Sequence, residues 1–179
     1  MTEPWLRGTL TEVEPVRRAV LHALELAGED VSRWAADLSD AEMFARPAGL
    51  PSVAFQLRHM ARSLDRLLTY AEAGDLDSEE PGASGGRGLS AGQMAALASE
   101  MAAEGSAAEV LAEFREGLER AVERVLAVDP ASFGEARGVG RRLLPTTVAG
   151  LLIHCAEHTQ RHAGQMVTTV KVVRAGLLG

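Results

Sequence analysis

The sequence predicts an all-α protein, a four-helix bundle with a short extra helix and a loop or small hairpin before the last helix. Three observations carry that expectation. Four long segments repeat apolar residues at steps of three, four or seven, turn-forming clusters separate them, and no stretch elsewhere alternates over a useful strand length. Helices with one apolar stripe need one another to bury it.

The first helix is expected from about Thr11 to Leu38. Val13, Val16, Val20, Leu24, Val31, Trp34 and Leu38 share one face there, and Pro15 suits a first turn. The run from Arg46 to Pro51 breaks the chain. Ser52 is placed to cap a second helix, along which Leu57, Met60, Ala61, Leu64, Leu67 and Leu68 continue until Gly74 closes it. Residues 75–90 are rich in Gly, Ser and acidic side chains and read as a mobile linker. The Gly-Ala-Ser-Gly-Gly-Arg-Gly run inside this segment lacks the Lys-Ser/Thr end of a phosphate loop.

A short helix over Ala91 to Ala103 is expected next. Ser106 and Glu109 then form a capping-box pattern ahead of Val110, Leu111, Phe114, Leu118, Val122 and Val125, and Asp129-Pro130 stops that third long helix. Ser132 to Leu144, with Gly138 and Gly140, reads as a loop or small hairpin. Pro145 with Thr146 or Thr147 is expected to start the last helix, which runs to about Val173.

Size and charge bound the function. A chain of 179 residues suits one well-cored domain, here taken as residues 1–179. A formal net charge of −7 leaves no basic stripe for nucleic acid and disfavours an acidic membrane surface. Met1 to Leu10 carry Glu3, Pro4, Arg7 and Gly8 and so form no signal-peptide core, which makes the cytoplasm the expected compartment. The lone Cys155 cannot form an internal disulfide and reads as a small core residue.

The chemistry gathers in the last helix. His154, His158 and His162 are four apart, so neighbouring imidazoles lie about 5–6 Å from each other at Cβ and two of their nitrogens can converge on one ion. On a helical wheel with Leu151 at zero, the face made by Val148, Leu152, Cys155, Met166, Val170 and Val173 centres near about +60°. His162 falls at about +20°, His158 at about −20° and His154 at about −60°. His158 and His162 therefore point inward, and His154 belongs at the mouth or outside. His154-Cys155-Ala156-Glu157-His158 also fits the inverted zinc-protease pattern, but Glu157 falls at about −120°, away from the core side. His22 lies opposite the stripe of its own helix and is expected in solvent.

The run from His158 to Gln165, with Ser52-Val53-Ala54-Phe55-Gln56-Leu57-Arg58-His59, Arg62-Ser63-Leu64-Asp65-Arg66 and Leu144-Pro145-Thr146-Thr147, resembles the DinB/YfiT-like superfamily over most of the chain. That resemblance implies a four-helix bundle with a three-histidine metal site. By motif the ligands are His59, His158 and His162. Periodicity alone places His59 elsewhere, near about 200° from its helix's apolar stripe, beside Gln56, Ser63 and Tyr70. A polar second face turned to a cleft reconciles the two readings.

The resemblance further implies one divalent ion, zinc or nickel in the first place with iron or manganese as alternatives, all of which accept imidazole. It implies metal activation of a low-molecular-weight thiol for attack on an electrophilic small molecule. The other classes are a metal-binding or stress-related homodimer without turnover and a metal-dependent hydrolase. Tyr70 and Gln165 are candidates to hydrogen-bond at the site, and Arg58, Arg62 and Arg161 to meet an anionic substrate.

Overall fold

Burial of the four apolar stripes organises the chain in a computed structural model, which describes residues 2–74, 104–140 and 142–176 with positions 92 and 95. The elements are α1 (Pro15–Trp34), α2 (Asp40–Phe44), α3 (Val53–Ala71), α4 (Ala107–Ala127), β1 (Ala136–Val139), β2 (Leu144–Thr147) and α5 (Val148–Arg174). The four long helices are the expected bundle. The expected linker lies outside the described residues, and of the expected short helix only Gly92 and Ala95 are described, both helical.

Local chemistry sets the ends. The Glu14 carboxylate accepts hydrogen bonds from the Val16 and Arg17 amides at 2.9 and 3.0 Å, so α1 starts at Pro15, and it stops at Trp34, shorter at both ends than its apolar pattern. Ser52 caps α3 through the Phe55 amide at 3.1 Å. Ser106 and Glu109 form the expected capping box of α4. Before the last helix the chain makes a hairpin, β1 against β2, with Ala136 opposite Thr147 and Val139 opposite Leu144. Pro145 and Thr146 therefore lie in a strand and not in a helical turn. Thr147 closes that strand and caps α5, its hydroxyl accepting from the Gly150 amide at 3.1 Å.

The helices close a ring in the order α1, α5, α3, α4. The first two long helices of the chain stand at opposite corners, which leaves α3 and α5, the two that carry the site histidines, side by side. One apolar cluster fills one half of the interior with Val31, Met43, Leu57, Met60, Phe114, Met166 and Val170. A second fills the other half with Val20, Leu24, Leu64, Leu68, Val125, Leu152 and Cys155. At about 1.5–3 kcal/mol for each large side chain taken from water, these two groups supply most of the driving force for assembly.

The hairpin is fastened to the end of α3 by Arg137. Its buried guanidinium donates from Nε to the Ala71 carbonyl at 3.0 Å, satisfying a helix-end acceptor, and pairs with Glu135 at 2.7 Å. Val139 is thereby held beside α3. Among the described residues no helix is long and apolar enough to cross a membrane.

Candidate metal centre

Helix α3 carries a second row of inward residues besides its apolar stripe. Gln56, His59, Ser63, Arg66 and Tyr70 follow one another at steps of three and four, so they share a face. Gln56, Ser63 and Tyr70 are buried, and His59 and Arg66 are half-buried. This polar row faces the imidazole edge of α5. His59, which periodicity assigns to the outside of an ordinary amphipathic helix, is inside because α3 buries two faces.

Three rings meet at this seam. The His59 and His162 centroids are 4.4 Å apart, those of His158 and His162 4.5 Å, and those of His59 and His158 5.0 Å. One ring nitrogen from each residue lies within 4.8 Å of the others, and the Nε2 atoms of His59 and His158 are 3.0 Å apart. Two nitrogens at about 2.0–2.1 Å from one tetrahedral ion stand roughly 3.3 Å from each other, so this approach fits a pair of ligands. The structure brings together His59, His158 and His162 and leaves His154 at the edge. His154 is half-buried and lines the outer part of the opening beside them, its ring 5.4 Å from that of His158 and its Nδ1 3.3 Å from a Glu157 oxygen.

The surroundings suit neutral imidazoles. Burial, and then the adjacent His162 and His59, push the His158 imidazole down to about 4, so it keeps its lone pair at neutral pH. His162 donates from Nδ1 to the buried Gln56 Oε1 at 2.6 Å, which fixes its tautomer and leaves Nε2 as the lone-pair nitrogen. The Ser63 hydroxyl lies 3.4 Å from His59 Nε2, and Phe55 stacks on the His59 ring at 5.3 Å. Sequence reasoning gave Gln56 and Ser63 no role. Their signal was the three-four spacing with His59, which marks a helical face as plainly as a leucine repeat does.

Several other expectations change. Arg58 is buried against Glu113 and the Glu104 carbonyl, Arg62 also pairs with Glu113, and Arg161 pairs with Glu157 along the surface of α5. These arginines secure helices. Gln165 is exposed, whereas Tyr70 does face the site. His22 is buried, with Nε2 3.2 Å from the Thr9 hydroxyl, because the N-terminal segment folds over that side of α1. Cys155 sits fully buried in the apolar cluster, as expected, and burial pushes its thiol up to about 12.

Beside the triad a cleft of about 260 Å³ opens to solvent, with His59 and His158 at its floor. Leu67 and Val139 give it apolar walls, and Ser63, Arg66 and Tyr70 continue the polar row along it. Its lining among the described residues holds no carboxylate.

Comparison with known proteins agrees with this architecture. Residues 23–166 match the family model described as DinB superfamily. No protein of curated function matches the chain. Among solved structures, the chain is similar to YfiT from Bacillus subtilis with a TM-score of 0.64 and 15% identity, over 95% of this chain and 93% of that one. That protein is described as a probable metal-dependent hydrolase with an unusual four-helix bundle topology. At this identity the likeness speaks for the fold.

Proposed function

The chain belongs to the DinB superfamily, and on that premise we propose that it is a divalent-metal-dependent enzyme in which His59, His158 and His162 hold one metal ion and a small thiol is the nucleophile. The observation that carries this reading is the convergence of three imidazole nitrogens from two helices within 4.8 Å, with two of the three rings, His59 and His158, lining a cleft. The donor set fits such an ion. It is all nitrogen, the His158 ring keeps its lone pair at neutral pH, and Gln56 orients the His162 ring as metal-bound histidines are oriented elsewhere.

When bound, a divalent ion with three neutral ligands supplies a full positive charge and an open position, which draws a thiol or water at that position towards ionisation near neutral pH. The protein's own part is positional. Helix α5 sets two imidazoles one turn apart, α3 brings the third across the seam, and Leu67 and Val139 give the adjoining cleft apolar walls. A thiol suits the cleft better than water does. Its ordinary pKa near 8.5 is already close to neutrality, and no carboxylate lines the described part of the cleft to take a proton from water. Hydrolysis is the second reading, favoured by the description of the Bacillus subtilis protein.

Elemental analysis of protein purified without an affinity tag tests the site. Wild type is expected to carry about one metal per chain and a His158→Ala/His162→Ala variant almost none; equal contents would sink the proposal. Thiol consumption by the metal-loaded protein, across several thiols and electrophiles, then tests the reaction. Metal-dependent turnover is expected to need the thiol, and turnover of esters or amides without thiol would favour hydrolysis instead.

A further inference from the structure

Ser63 is the polar group of α3 whose hydrogen bonds a bound ion would rearrange. It is only 4% exposed, yet it lines the cleft beside His59 and His158. Its oxygen accepts from Arg66 Nη2 at 2.8 Å and lies 3.4 Å from His59 Nε2, the nitrogen that also meets His158 Nε2 at 3.0 Å. A nitrogen that ligates an ion has neither a proton to give nor a lone pair with which to accept. Whichever of Ser63 and His59 holds the proton between them, the hydroxyl must therefore donate elsewhere once His59 Nε2 is a ligand. With Arg66 donating into the oxygen, the hydroxyl proton cannot point that way. The described lining of the cleft holds no carboxylate, so the nearest anion is one drawn to the open position of the ion.

We propose that the Ser63 hydroxyl donates a hydrogen bond to the ionised sulfur of the thiol nucleophile, and that Arg66 positions the hydroxyl to do so. This rests on the reading of His59, His158 and His162 as a metal site with a thiol as nucleophile, and it adds the residue that favours the thiolate over a neutral ligand. A hydrogen bond to a charged acceptor is roughly twice as strong as one between neutral groups, and a buried hydroxyl left without an acceptor is costly. Both effects favour an anion at this position. The competing acceptor is the His59 carbonyl one turn back, a common partner for a serine inside a helix. A hydroxyl turned there would be indifferent to the ligand.

Cobalt(II)-loaded protein titrated with 2-mercaptoethanol tests this without turnover. The sulfur-to-cobalt charge-transfer absorption reports the thiolate, and imidazole serves as a neutral competitor for the same position. Wild type is expected to bind the thiol about tenfold more tightly than Ser63→Ala, the worth of one charge-assisted hydrogen bond, with cobalt and imidazole affinities within about threefold of each other in the two proteins. Ser63→Thr, which keeps the hydroxyl, is expected to bind the thiol within about threefold of wild type. Equal thiol affinity in wild type and Ser63→Ala, with cobalt bound in both, overturns the hydrogen bond to sulfur and leaves the metal site standing. Thiol and imidazole binding weakened alike in Ser63→Ala does so too, making Ser63 a support of the histidines alone, as does thiol binding in Ser63→Thr as weak as in Ser63→Ala. Wild type that takes up no cobalt, or that shows no charge-transfer absorption when loaded, overturns the reading of the site and this one with it.

Discussion

Along α3, Leu57, Met60, Ala61, Leu64 and Leu68 meet the rest of the bundle through carbon, whereas Gln56, His59, Ser63, Arg66 and Tyr70 meet α5 and the cleft through nitrogen and oxygen. The apolar face needs only shape. At its closest point Ala61 packs on Gly117 of α4, where an added Cβ would stand 2.7 Å from the alanine's own. The polar face needs partners for each group it buries, and it finds them in Gln56 with His162 and in Ser63 with both His59 and Arg66. Stability should therefore answer to changes on one face and metal affinity to changes on the other.

The largest expected effect is on the polar face. His59→Ala leaves two ligands of three, and zinc affinity measured by competition with a chelator is expected to fall at least about 100-fold, more than the loss of a supporting residue costs. A variant that keeps wild-type affinity would detach α3 from the site. Next comes Gln56→Ala, which frees the His162 ring from its orienting bond and is expected to lower affinity by roughly 10–100-fold.

The apolar face should answer in the opposite way. Gly117→Ala forces α3 and α4 apart and is expected to cost roughly 1–3 kcal/mol in urea unfolding, with metal content unchanged. If zinc affinity fell in step with stability, the two faces would not be separable. The smallest effect concerns Cys155, on the apolar side of α5. Its thiol is held up to about 12 when folded, while an unfolded thiol ionises near pH 8.5. The unfolded state alone then loses a proton as pH rises, so the contribution of Cys155 to stability is intact below about 8.5 and declines towards 12. Against a Cys155→Ala reference the difference is expected to reach on the order of 2 kcal/mol by pH 10. A flat difference would place the thiol in solvent or on the metal.

The same contrast explains what could be read from the sequence. The four helices were legible because apolar repeats and caps such as Ser52 and the Ser106-Glu109 box are local signals, and the structure uses them as written. His158 and His162 were legible for the same reason, being one turn apart on one helix. His59 was not legible from periodicity, since a wheel assumes one buried face and α3 has two; the family resemblance supplied it. Pro145 and Thr146 resembled a helix start because the strand they form is only four residues long and runs straight into the Thr147 cap. The burial of His22 depends on Thr9, thirteen residues away, and no local pattern carries that information. The ring order of the helices was equally hidden, although it is what sets α3 against α5.

Zinc K-edge X-ray absorption on tag-free, zinc-loaded protein tests the three-imidazole site most directly. The expected spectrum shows three imidazole rings with nitrogen at about 2.0–2.1 Å, and fewer rings in His59→Ala. A sulfur shell near about 2.3 Å, or a ring count that His59→Ala leaves unchanged, would contradict the site described.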